Sequence, residues 1–225
     1  MSSGHPPRRV GLIVPSSNTV MEPDFHRNLG PEWVVSTTRI YLEDVTREAE
    51  VRMLEGDLPK AAELIGTTAP DVVVFGCTSA GAIGPAAHDA GIADLIRERT
   101  GARVVTVLGA LHAQLRAIAP RRVALFTPYV EDLTASIAAS LADGGFPPVK
   151  TVGMGIRANL EIGRVTPEQI VSFVESRIDG CAPDCLVLSC TNWRAMEAIE
   201  ALSARMDLPV VSSNQAALAM VPVVD

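Results

Sequence analysis

The chain has 225 residues, enough for one large domain or two small ones, and 48% of them are hydrophobic, so a sizeable core is available. The net charge is −7 and no Lys/Arg run exceeds a pair such as Arg8-Arg9 or Arg121-Arg122, which excludes a nucleic-acid backbone as partner. No apolar stretch reaches the roughly 18 residues of a membrane span.

Residues 1–8 are polar and proline-rich with no apolar signal core behind them, and read as a short disordered tail on a cytoplasmic protein. Residues 10–15, 34–40, 72–76 and 104–108 are β-branched apolar runs, the expected strands of the first half. Their continuity implies a parallel sheet buried on both faces. Residues 48–65 and 84–99 mix charged and apolar positions at helical spacing. The second half repeats the plan with strands over 123–128, 149–153, 185–189 and 210–213. A helix is expected over 166–178, with Thr166 as N-cap, Pro167 as its first residue and Glu168 in its first turn.

The two halves also match in detail. Arg9-Val10 aligns with Arg122-Val123, and Asp71 through Thr78 with Asp184 through Thr191, both at an offset of 113. Later the offset falls to 106, where Val104-Val105 meets Val210-Val211. The expectation is an α/β fold of two similar Rossmann-like lobes, 9–118 and 119–225, with mainly parallel four-stranded sheets related by a pseudo-twofold axis. The C-terminal helix is expected to pack on the first lobe. Ligands of open α/β sheets bind beyond the carboxyl ends of the strands. Cys77 and Cys190 end equivalent strands, so the symmetry brings two thiols toward one site between the lobes.

A cysteine at a helix start has its thiolate favoured by the helix dipole and nearby amides. Two thiolates in one small pocket repel, so the expected resting state is one thiolate and one thiol, a base or nucleophile facing an acid. Cys185 reads as strand core and Cys181 as a loop residue, both structural. All four cysteines read as reduced thiols. Thr78, Ser79, Thr191 and Asn192 follow the two thiols and offer donors for a carboxylate without any Lys or Arg. Ser17 and Asn18 add donors after the first strand, with helix capping as their alternative role. Tyr129 would put a hydroxyl into the same cleft, and Asn159 lies beyond the next strand.

Other motifs are absent. Cys77 through Gly81 lacks the first glycine of a nucleophile elbow, and the last histidine, His112, comes too early for that triad. No phosphate-binding or dinucleotide fingerprint is present. Cys185 and Cys190 point to opposite faces of one strand, against a metal site. His5, His26, His88 and His112 form no pattern and read as surface residues.

The combination Val14-Pro15-Ser16-Ser17-Asn18-Thr19, Gly76-Cys77-Thr78-Ser79, Thr127-Pro128-Tyr129 and Ser189-Cys190-Thr191 resembles the aspartate/glutamate racemase superfamily. Within it the likeness is to the branch of maleate cis–trans isomerases, arylmalonate decarboxylases and a related ectoine-utilisation protein, over residues 9 to 215. The resemblance implies an active site between two lobes, no cofactor, Cys77 and Cys190 as the catalytic pair, and Asn18, Tyr129 and Asn159 as carboxylate binders. Decarboxylases of this branch keep glycine at the first cysteine, which counts against simple decarboxylation here. Glutamate racemases usually place His after the second Cys-Thr, where this chain has Asn192-Trp193. The chain after Asn214 is short, which leaves the closing helix in question.

The reading that results is an isomerase of a small (di)carboxylic acid, maleate-isomerase-like, with Cys77 as nucleophile and Cys190 as acid/base partner. Alternatives are a two-cysteine racemase of an amino acid or related acid, an arylmalonate-decarboxylase-like enzyme or ectoine-catabolism protein, and a catalytically silent small-acid binder. The partner expected is the small carboxylate itself, with no nucleic acid and no membrane; the sequence leaves a homo-oligomer open.

Overall fold

The computed structural model describes residues 6–85 and 87–223. Strands β1 (Arg8–Pro15), β2 (Trp33–Ile40), β3 (Val72–Phe75) and β4 (Arg103–Thr106) form one parallel sheet in the order β2-β1-β3-β4. Strands β5 (Val123–Thr127), β6 (Lys150–Gly153), β7 (Cys185–Leu188) and β8 (Val210–Ser212) form a second, β6-β5-β7-β8, also parallel throughout. The helices of the first half are α1 (Met21–Asn28), α2 (Arg47–Gly56), α3 (Leu58–Gly66), α4 (Thr78–Ala82), α5 (Ala87–Thr100) and α6 (Val107–Ile118). Those of the second are α7 (Glu131–Asp143), α8 (Asn159–Arg164), α9 (Pro167–Glu175), α10 (Ala195–Met206) and α11 (Ser213–Met220).

The internal repeat is visible in the registers. Val10 pairs with Val72 as Val123 pairs with Cys185, the offset of 113 on both strands. Val73 pairs with Val104 as Leu186 pairs with Val210, so the change of offset to 106 falls between the third and fourth strands of each sheet. Asp71 and Asp184 anchor the strand starts alike: each carboxylate accepts a backbone N–H, from Arg9 at 2.7 Å and from Arg122 at 2.9 Å. β3, β5 and β7 are wholly buried, as continuous apolar runs require, whereas the edge strands β2 and β6 are partly exposed.

Several boundaries differ from the sequence expectation, each for a local reason. The strand expected to run to residue 108 stops at Thr106, whose hydroxyl accepts the Gly109 N–H at 3.1 Å and starts α6 at Val107. Ser212 does the same for α11 in a capping box with Gln215. The single helix expected over 48–65 is two, α2 and α3, meeting at Asp57 with Pro59 in the first turn of α3. Proline has no N–H for the i−4 carbonyl, so it begins a helix more readily than it continues one. Thr166 caps α9 as expected, but the helix ends at Glu175. β1 begins at Arg8, one residue inside the stretch expected as a tail, and a closing helix is present, α11, with Asn214 as its second residue. His26 is exposed, but His88 and His112 are half-buried, and burial lowers the pKa of His112. His5 lies outside the described residues.

The halves are joined by more than the chain. α11 packs against α1, α6 and β4 of the first half, and α4 packs against α7 of the second. The segments following the two edge strands also meet. Asp44 bridges Ala158, Val45 N–H donates to the Arg157 carbonyl at 2.8 Å, and Asn159 N–H to the Glu43 carbonyl at 2.9 Å. Among the described residues no helix is long and apolar enough to cross a membrane.

Candidate active site

Chain connectivity determines where the site forms. In the order β2-β1-β3-β4, successive connections diverge between β1 and β3, and in the other sheet between β5 and β7. A crevice opens beyond the carboxyl ends of such a strand pair. The four segments there are Ser16–Thr19 after β1, Cys77–Ser79 after β3, Pro128-Tyr129 after β5 and Cys190–Asn192 after β7. They contain nearly every residue singled out from the sequence; Asn159 joins them from the start of α8, through the bridge between the two edge segments.

Both thiols are buried, Cys77 at 5% and Cys190 at 3% exposure. They lie close enough to influence one another, beside burial as the main cause of each shift. Charge on Cys190 raises Cys77, Tyr129 hydrogen-bonds Cys190, and charge on either thiol raises the phenol of Tyr129. Two cavities of about 550 and 620 Å³ lie elsewhere, the first lined by residues such as Asp89, Thr106 and His112, the second by Tyr41, Asp44 and Arg157; neither is lined by a cysteine.

The local environment of each sulfur is repeated. Cys77 follows β3 as N-cap of α4 and is hydrogen-bonded by the backbone of Ala80, three residues on. Cys190 accepts the Asn192 N–H at 3.3 Å and is hydrogen-bonded by the backbone of Trp193, again three residues on. These bonds favour the thiolates, as expected from the sequence, but they do not prevail. Desolvation is the largest influence on both, and the charge of the Glu50 carboxyl adds to it at both sulfurs; Cys190 is pushed up to about 12 and Cys77 rises further. Against the expected resting state of one thiolate and one thiol, burial favours the protonated form of both sulfurs. α4, five residues long, has too few aligned peptides to offset the loss of water.

Gly76 makes the approach to Cys77 possible. A Cβ there would strike the Met21 sulfur and come within 2.9 Å of Val14. Its carbonyl accepts the Thr191 hydroxyl at 2.8 Å, tying the two Cys-Thr turns together. Thr191 Oγ1 in turn accepts from Asn18 Nδ2 at 3.0 Å.

The polar residues expected to hold a carboxylate largely hold one another. Asn18 Oδ1 accepts the N–H groups of Val20 and Met21 at 3.1 and 3.0 Å, so the capping role is present, and one amide hydrogen of Asn18 is left over. Asn192 Oδ1 accepts the Thr19 N–H at 2.8 Å, while its Nδ2 donates to the Asn159 carbonyl at 2.6 Å and to Asn159 Oδ1 at 3.2 Å. Asn159 Nδ2 donates to Ser17 Oγ at 2.9 Å, and Ser17 donates to the Leu42 carbonyl. Gly163 lets α8 close on this lattice, since a Cβ there would lie 2.6 Å from Thr19 Oγ1. Thr78 Oγ1 shares a hydrogen bond of 3.1 Å with Ser213. Cys181 and Cys185 stay apart: Cys181 Sγ donates to the Ile178 carbonyl at 2.9 Å, and Cys185 lies in the β7 core. Among the described residues no cluster could hold a metal ion.

Three contributors were missed in the sequence. Glu50 is fully buried on α2, accepts the Ser79 hydroxyl, and is raised to about 8 by burial. The signal was available: Glu50 stands at i with Met53 and Leu54 at i+3 and i+4, a carboxyl on the apolar face of a helix. Asn214 donates to the Thr191 carbonyl at 3.0 Å and to buried Asp24 at 2.8 Å, and Ser213 reaches Thr78, so α11 braces both Cys-Thr turns. No local pattern marks those two.

The family described as arylmalonate decarboxylase matches residues 10–223. The chain belongs to that family. A maleate isomerase of Geobacillus stearothermophilus is 29% identical over 219 residues, 91% of this chain and 86% of the relative. The arylmalonate decarboxylase of Bordetella bronchiseptica is 31% identical over 209 residues, covering 92% and 86%. Among solved structures, a cysteine-to-serine variant of the Nocardia farcinica maleate cis–trans isomerase, with a covalently bound succinylcysteine intermediate, superposes with a TM-score of 0.86. It is 28% identical and covers 94% of this chain and 89% of its own. In sequence and structure the chain is maleate-isomerase-like.

Proposed function

We propose that the protein is a cytosolic, cofactor-independent cis–trans isomerase of a small dicarboxylic acid such as maleate. The observation that carries this reading is the pair of buried thiols on matched turns from the two halves, Cys77 and Cys190, with the Tyr129 phenol on Cys190. A decarboxylase of the family needs only the second of these cysteines; retention of both favours isomerisation. All four cysteines are free, which suits a reducing compartment.

In this mechanism Cys77 first releases its proton to solvent. The thiolate sulfur then adds to one alkene carbon while Cys190 delivers its proton to the other. The carbon–carbon bond becomes single and rotates. Cys190 then takes a proton back, the S–C cleavage returns the electron pair to the Cys77 sulfur, and the trans alkene leaves. Charge that develops on the adjoining carboxylate is met by fixed donors, the free amide hydrogens of Asn18 and Asn159 and the backbone N–H groups around the two turns. The succinylcysteine of the Nocardia relative is the thioether that such an addition yields. Two-base racemisation is the second reading, favoured by the same facing thiols.

The test is a substrate panel of maleate, both enantiomers of aspartate and glutamate, and a phenylmalonate, with products followed by proton NMR. Conversion of maleate to fumarate without carbon dioxide release is the expected result. Exchange of an amino-acid α-hydrogen with solvent, or decarboxylation of the malonate, with maleate untouched, would overturn the assignment.

A further inference from the structure

Glu50 is the one carboxyl among the site residues, and its position is unusual. It is fully buried, stands on the face of α2 that also buries Met53 and Leu54, and lies near enough to Cys77, Cys190 and Tyr129 that its charge would raise all three. One carboxyl oxygen, Oε1, is occupied by the Ser79 hydroxyl, whose Oγ is 3.8 Å from Cys77 Sγ. The other, Oε2, is buried with no partner among the described residues. A buried polar atom left unpaired costs about 1–3 kcal/mol, so a ligand that supplied a partner to this oxygen, beside the two thiols, would be favoured.

What the ligand supplies depends on the proton. The four segments of the crevice contribute no Lys, Arg or His. An ionised Glu50 in that setting would repel any carboxylate, and a neutral one would offer it an O–H. We propose that Glu50 acts as a neutral carboxylic acid whose Oε2–H donates to a substrate carboxylate, making it a specificity-determining residue for dianionic over ammonium-bearing acids. The inference rests on the site being one for small carboxylates, and deepens that reading.

The charge environment agrees. Burial raises Glu50 to about 8, opposed by the Ser79 hydrogen bond and by Arg47 on the same helix. Of the other groups that face it, Cys77 at the head of α4 and Tyr129 are raised above their ordinary values, and Cys190 to about 12. The charged side chains of the neighbouring α3, Lys60 and Glu63, are exposed and paired with each other at 3.0 Å. Between pH 7 and 9.5 Glu50 is thus the facing group whose titration matters. A bound dianion raises its pKa further, and by linkage ionisation of Glu50 weakens binding of the dianion.

The test is calorimetric binding of succinate, a saturated dicarboxylate fully ionised above pH 6.5, to the wild type and to Glu50→Gln between pH 6.5 and 9.5. Wild-type affinity should be flat below about pH 7.5 and then fall by about tenfold per pH unit once Glu50 ionises. Glu50→Gln keeps an N–H donor and cannot ionise, so its affinity should stay flat. Wild-type affinity that does not fall, or that falls equally in the variant, would overturn the proposal, as would tighter binding of aspartate than of succinate that the variant abolishes. The wild-type profile carries the test alone if the variant does not fold. Success here with no isomerisation of maleate would sink the isomerase reading and leave this one standing. The reverse outcome, turnover without the alkaline loss of affinity, would do the opposite.

Discussion

Each of Cys77 and Cys190 accepts a hydrogen bond from the backbone three residues on, yet burial outweighs those bonds and pushes both thiols up, toward the protonated form. Alkylation should therefore be slow in the folded protein at pH 7. It should quicken by about tenfold per pH unit toward pH 9.5, because only the thiolate reacts and its fraction grows at that rate below the pKa. Mass mapping of iodoacetamide adducts on Cys77 and Cys190 across this range checks it; a rate independent of pH would mean that one thiolate already exists at rest. Replacing either cysteine by Ala should lower maleate turnover by roughly a hundred- to ten-thousand-fold with the fold intact, since neither sulfur can take the other's part. Cys185→Ala should leave turnover near wild type and cost about 1 kcal/mol of stability in urea denaturation, the effect of a small cavity in β7.

At the scale of elements, the two Cys-Thr turns are held by helices from elsewhere in the chain. Thr191→Val removes the hydroxyl that donates to the Gly76 carbonyl and accepts from Asn18, and leaves both partners buried. A loss of about 1–3 kcal/mol is expected in denaturant titration. Helix α2 gives a pH signature. Glu50 is raised in the folded state from 4.5 to about 8, so the native protein binds more protons than the unfolded chain between those values. Its contribution is fully present below about pH 4.5 and is lost as pH rises toward 8. The thermal midpoint should accordingly decline from pH 5 to 8 more steeply in the wild type than in Glu50→Gln; parallel curves would place the raised pKa elsewhere. The strands and the paired Cys-Thr turns were legible because both are local, an apolar run followed by a small polar turn. Thr106 and Ser212 were less so: a β-branched run does not announce that its last residue caps a helix. Glu50 was overlooked because a charged residue in a helix reads as solvated until its apolar i+3 and i+4 neighbours are counted. Asn214 and Asp24 could not be found locally, since their bonds join residues 190 apart.

For the molecule as a whole, the consequence of the repeat is that the candidate site draws residues from both halves. Asn18 meets Thr191, Thr19 meets Asn192, and Ser17 meets Asn159, each across more than 140 residues of chain. A ligand bound there stabilises both halves together. At a hundredfold excess over Kd it should add about 2.7 kcal/mol to a single calorimetric transition. Two transitions, only one of them shifted by succinate, would mean that the lobes unfold separately and the ligand holds one. The central claim, that the chemistry runs through Cys77 with Cys190 as its acid/base partner, is tested most directly by trapping the adduct. In Cys190→Ser the weaker hydroxyl base should slow elimination, so that incubation with maleate, denaturation and peptide mass mapping finds a succinyl thioether on Cys77. An adduct on Cys181 or Cys185 instead, or Cys77 unmodified in a Cys190→Ser protein that still isomerises maleate, would contradict it.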